Sequence, residues 1–185
     1  MIKQPKTRWA LAIFCLLLSV TGGMIWTVSL HRRQDALDAA LFNAIARNDS
    51  PRLHALLTEG ANPNAIYRNH KPRPFLDVWK QMFGLDPVAA KGRVTALISA
   101  AELGRLDITK ALIEAHANVN MQNGEGWTAL HAAAMTHRQD TSAILLLLAE
   151  HGADINAKTL DGKTVWYLAR NNPTSLQTLR HAAGK

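Results

Sequence analysis

The chain has 185 residues, 48% of them hydrophobic and 19% charged, with 21 Lys and Arg against 14 Asp and Glu. That apolar fraction excludes general disorder, and a single cysteine excludes a disulfide framework or a cysteine-rich zinc site. The net charge of +7 is local: +3 falls in residues 1–8 and +4 in residues 67–93, which leaves the rest neutral. A nucleic-acid binder spreads a basic stripe over a folded face, so this distribution argues against nucleic acid as partner.

The first predicted element follows the basic flank 1–8. Residues 9–30 carry no charge, and their 22 positions would span roughly 33 Å as a helix, enough for a bilayer core. Trp9 and Trp26 stand near the ends, with Lys3, Lys6 and Arg8 before and Arg32 and Arg33 after. The spacing predicts an uncleaved transmembrane anchor, with positive-inside placing the main domain outside the cytoplasm. For a bacterial chain that location would be the inner membrane, with a periplasmic domain. The alternative is a cleaved signal peptide and a soluble periplasmic domain, with an apolar core at 11–20 followed by Thr21, Gly22 and Gly23.

Beyond residue 31 the chain repeats itself. Thr95-Ala96-Leu97-Ile98-Ser99-Ala100-Ala101 returns 33 residues later as Thr128-Ala129-Leu130-His131-Ala132-Ala133-Ala134, and 36 residues after that as Thr164-Val165-Trp166-Tyr167-Leu168-Ala169. A second pattern alternates with it: Gly60-Ala61-Asn62-Pro63-Asn64, then His116-Ala117-Asn118-Val119-Asn120, then Gly152-Ala153-Asp154-Ile155-Asn156. Each opening Thr is placed to cap a helix, and Gly60, His116 and Gly152 are placed for a left-handed turn after one. Small Ala pairs at 100–101 and 133–134 allow helices to approach closely, and Leu97, Leu112, Leu130 and Leu147 are spaced to line one core. The longer third unit predicts an extended turn near Thr136–Thr141.

Residues 67–93 interrupt the repeat. The basic, proline-containing start, 68–74, precedes Phe75, Trp79, Met82 and Phe83, which fall on one face of a helix. Three readings stand: a cap that folds onto the stack, a partner-binding surface, and contact with the membrane surface.

Period and motifs together resemble the ankyrin repeat, with its 33-residue unit and T-P-L-H-x-A opening. The Pro is replaced by Ala96, Ala129 and Val165. The resemblance implies an all-α solenoid of about four repeats: residues 31–66 as the first, 67–93 as an insertion and 94–185 as repeats two to four. It also implies that His131 is a structural hydrogen-bonder, and that the protein is a non-catalytic binder of another protein, without cofactor, metal or small-molecule substrate.

Family contact positions carried onto this chain are Glu102, Leu103, Asn123, Gly124 and Trp127, then Met135, Thr136, Leu160, Asp161 and Lys163. Phe75, Trp79 and Phe83 of the insertion join them as partner-binding candidates. The layout is similar to that of short anchored or exported bacterial ankyrin proteins that neutralise secreted toxins such as lipase effectors, which suggests an immunity protein. The alternatives are an envelope scaffold or stress-protection factor and, from another class, a hydrolase built on His137, Asp140 and Ser142. No nucleophile elbow, P-loop, dinucleotide fingerprint or zinc spacing accompanies that trio.

Overall fold

The computed structural model describes residues 33–67, 93–138 and 140–184. The chain divides into two units, Met1–Ala36 and Leu37–Lys185. Of the first, 33–36 are described and are helical. The expected span 9–30, and the insertion's Phe75, Trp79 and Phe83, lie outside the described residues. Among the described residues no helix is long and apolar enough to cross a membrane.

The second unit is a row of helix pairs. The pairs are the 37–47 part of α1 (33–47) with α2 (Ser50–Thr58), α3 (Ala96–Glu102) with α4 (Leu106–Glu114), α5 (Ala129–Met135) with α6 (Thr141–Glu150), and α7 (Val165–Ala169) with α8 (Pro173–Ala183). First helices stack α3 on α5 and α5 on α7, and second helices stack α2 on α4, α4 on α6 and α6 on α8. Ala100, Ala101, Ala133 and Ala134 are completely buried, which is why α3, α5 and α7 can lie so close. Leu53, Leu112, Leu130, Leu145 and Leu148 fill the continuous core between pairs.

The helix ends follow the residue types. The hydroxyls of Thr95, Thr128 and Thr164 accept from the backbone N–H groups of Ile98, His131 and Tyr167, at 3.1, 3.4 and 3.4 Å. Gly60, His116 and Gly152 hold φ values of +96°, +62° and +82°, the left-handed turn the repeat requires. The third pair's longer connection follows Met135, where Thr136 Oγ1 and Thr141 Oγ1 lie 3.0 Å apart and tie its two ends. Asn172 Nδ2 donates to the Thr136 carbonyl at 3.0 Å and so fastens α8 to this connection.

A short sheet departs from an all-helical chain. Ile66–Tyr67 (β1) pairs antiparallel with Val94–Thr95 (β2), in the register Ile66 to Thr95 and Tyr67 to Val94. The insertion therefore leaves and rejoins the stack through one two-residue ladder, whose backbone groups satisfy each other. Tyr67, counted with the insertion from sequence, belongs to this ladder, and its ring packs edge-on against Phe42 of α1 at 5.2 Å.

Asparagines stitch the loops of successive repeats together. Asn64 Oδ1 accepts from the N–H of Asn118 at 2.7 Å. Asn120 uses both ends of its amide: Oδ1 accepts from the N–H of Asp154 at 2.8 Å, and Nδ2 donates to the Gly152 carbonyl at 2.9 Å. Asn120→Ala is expected to cost about 1–2 kcal/mol, the net worth of two solvent-accessible hydrogen bonds. A urea midpoint equal to that of the unaltered chain would show that water replaces both bonds without loss.

Candidate functional site

The hairpin fingers between repeats determine which side chains face outward. In the third finger Asn123 builds the turn: its Oδ1 accepts from the N–H groups of Glu125 and Trp127, both at 2.9 Å, and its own N–H donates to the Trp127 carbonyl at 2.9 Å. Gly126 completes the turn at φ +79°. The N–H of Leu160 in the fourth finger donates to the Glu125 carbonyl at 3.0 Å, so neighbouring fingers are held to one another. Trp127, at the end of this finger, is half-buried.

Behind Trp127 lies His131, fully buried. Its Nδ1 accepts from the Thr128 N–H at 3.3 Å and lies 2.8 Å from the Thr128 hydroxyl, closing a capping box. An accepting Nδ1 places the ring proton on Nε2, which faces the next finger without closing to a hydrogen bond of ordinary geometry. Burial pushes the His131 pKa below its ordinary value, against the smaller opposing pull of the Ala157 and Lys163 backbone and of Asp154. The imidazole is thus a neutral structural part of the finger's support.

This histidine gives stability a direction with pH. Because the folded pKa lies below the unfolded value of 6.5, the unfolded chain takes up the proton more readily. The stabilisation is complete above the unfolded pKa and is lost as pH falls through it towards the folded value. His131→Gln keeps a side chain able to close the capping box and removes the titration. Its unfolding free energy is expected to fall less than that of the unaltered chain between about pH 7.5 and pH 5. Parallel profiles would assign the acid loss to other groups.

A groove of about 620 Å³ opens between the third finger and the helices α3 and α5. That volume lies within the range of binding pockets generally. Its apolar lining is Val94, Ile98, Trp127, Ala132 and Met135, and its polar lining is Glu102, Asn123, Glu125 and Thr136. His137 and Arg138, from the connection after Met135, complete it. Met135 is 49% exposed, large for an unbranched apolar side chain on a stacked helix.

Five of the positions expected to meet a partner therefore converge here: Glu102, Asn123, Trp127, Met135 and Thr136. Leu103 instead packs, partly buried, against the core. Leu160, Asp161 and Lys163 sit on the fourth finger outside this groove, with Leu160 79% exposed and Lys163 Nζ 3.4 Å from Asp161. Asn123 is as much a positioning residue as a surface one, since its amide oxygen is occupied by the finger's own backbone.

Val94 and Ile98 were not expected at the site. For Val94 the signal was present, because it precedes Trp127 by the 33 residues of one repeat, as Glu102 precedes Met135. Ile98, Glu125, Ala132, His137 and Arg138 carried no such signal. No hydrogen bond joins His137 to Asp140 or Ser142 among the described residues, and His137 and Asp140 are solvent-exposed. No group of three His, Cys, Asp or Glu among the described residues could hold a metal ion.

A family model described as ankyrin repeats in three copies matches residues 41–159. Among curated proteins, the chain is 43% identical over 90 residues to the 2-5A-dependent ribonuclease of Homo sapiens, covering 45% of this chain and 12% of that one. It is 42% identical over 79 residues to alpha-latroinsectotoxin-Lt1a of Latrodectus tredecimguttatus, covering 42% and 5%. It is 41% identical over 75 residues to neurogenic locus notch homolog protein 1 of Mus musculus, covering 40% and 3%. The chain thus spans only a small part of the length of each.

Proposed function

Because the chain belongs to the ankyrin-repeat family, whose repeats are protein-binding and generally non-catalytic modules, we propose that it is a membrane-tethered binder of a single partner protein. The observation that carries this reading is the groove, where Trp127 and the exposed Met135 join Val94, Ile98 and Ala132 in an apolar lining carried by two helices and a hydrogen-bonded finger. Half-buried tryptophan beside exposed methionine is the composition of an interface anchor. In this reading the tether is the uncharged run 9–30, with the more basic flank of Lys3, Lys6 and Arg8 on the cytoplasmic side and the repeats in the periplasm. Within this reading the partner is a secreted toxin that the protein neutralises, as the layout of anchor and short repeat stack suggests.

Affinity capture with the tagged full chain, beside a Trp127→Ala/Met135→Ala variant of unchanged circular dichroism, tests it. One stoichiometric partner lost in the variant is the expected result. A partner retained by the folded variant would move the binding surface away from the groove. Should the partner be a secreted hydrolase, co-expression must protect cells from it; unprotected cells would reject immunity while leaving binding intact. Alkaline extraction of membranes tests the tether, which fails if the chain is released with peripheral proteins.

A further inference from the structure

The charges around the groove narrow what it accepts, and this inference rests on reading the groove as a protein-docking site. Glu102 stands at the end of α3 and Glu125 on the third finger. Both are exposed, and among the described residues neither forms an ion pair. Trp127 lines the same groove, and among the described residues its indole N–H makes no hydrogen bond. A tryptophan face attracts a cation, and each nearby carboxylate adds to that attraction. One exposed carboxylate contributes little, but a concave apolar wall focuses the field of two.

At the 136–138 turn the sign reverses. Arg138 lines the groove while its aliphatic stem lies over Gly104, with Cδ 2.6 Å from where a Cβ at that glycine would sit. A cation entering the groove is therefore drawn to Glu102 and Glu125 and repelled from Arg138, which gives the ligand a direction. The apolar lining asks for a large uncharged side chain next to that cation.

We infer that the groove takes a segment of the partner protein that inserts an aromatic or leucine side chain with a lysine or arginine beside it. An acidic segment would place its carboxylates against Glu102 and Glu125. The charge complementarity of the groove thus sets the class of its occupant.

The test is selection of a random-peptide display library on the full chain, on Trp127→Ala and on Glu102→Gln/Glu125→Gln, each first shown to be folded by circular dichroism. Peptides that pair an aromatic or leucine with Lys or Arg are expected from the unaltered chain, and none of them from Trp127→Ala. On the double glutamine variant the apolar preference should persist and the basic one vanish, with the best synthetic peptide bound about tenfold more weakly. Added salt should weaken its binding to the unaltered chain and not to that variant.

Acidic peptides, or a basic preference unchanged on the double variant, would overturn the inference. Peptides that depend on Trp127 but show no charge preference would overturn it while leaving the docking site standing. Peptides that bind Trp127→Ala equally well would remove both. If tryptamine alone displaced the peptide at the same concentration as the peptide itself, the ligand would be a small aromatic cation and the inference would fall.

Discussion

Gly126→Ala is expected to lower the unfolding free energy by about 3 kcal/mol, far more than a methyl group at most glycines. Two costs add. The residue holds φ +79°, where an L side chain is strained. The new Cβ would also stand 2.7 Å from the Leu160 nitrogen and 3.1 Å from the Thr159 carbonyl carbon. Those are backbone atoms of the neighbouring finger, and no rotamer change moves them away. Relief requires the fingers to part, which breaks the 3.0 Å bond from the Leu160 N–H to the Glu125 carbonyl.

Gly152 separates the two costs. It holds φ +82°, and a Cβ there meets nothing within 4 Å. Gly152→Ala should therefore show only the backbone cost, about 1 kcal/mol. Urea unfolding followed by circular dichroism compares the two variants directly. Equal midpoints would mean that the third and fourth fingers are not in contact in solution. Because the same finger carries Trp127, Gly126→Ala should also weaken partner binding, whereas Gly152→Ala should not.

Leu130→Ala is the second large loss, expected at about 2–5 kcal/mol. Leu130 is completely buried in α5, the helix that packs against α3, α6 and α7. Removing its side chain leaves a cavity that completely buried alanines, Ala133 and Ala134 among them, have no side-chain freedom to fill. A repeat stack holds together by nearest-neighbour interfaces, so a weakened third repeat loosens its coupling to both neighbours. The urea transition should broaden as well as shift, since cooperativity along the array falls. Leu160→Ala, at a position 79% exposed, should change stability by under about 0.5 kcal/mol. A Leu130→Ala loss as small as that would contradict the packing described.

Legibility differed from residue to residue. The capping threonines, the left-handed His116 and the extended turn after Met135 could all be read from spacing, because each depends on backbone within a few positions. His131 was identified as structural through the family motif, and its burial and capping box agree with that role. The short ladder at the base of the insertion was not legible. Two residues carry no period, and Ile66 and Val94 are separated by the whole inserted segment. Asn123 was read as a surface contact, yet its amide oxygen closes the finger turn. An asparagine's local hydrogen bonds depend on a turn that composition does not specify.

By itself, the amino-acid sequence determined the helix pairs, their period and the faces they bury. Capping, small-residue spacing and leucine placement all act within one repeat or between identical positions of adjacent repeats. Only the tertiary structure decided that Val94 and Ile98 meet Trp127 and Met135 across a groove, with Glu102 and Glu125 beside it and Arg138 at the turn. That surface is assembled from a finger, two helices and a turn of different repeats. Its shape follows from how closely buried alanines let the helices stack and how backbone hydrogen bonds hold the fingers, and neither distance is written in any one segment of the chain.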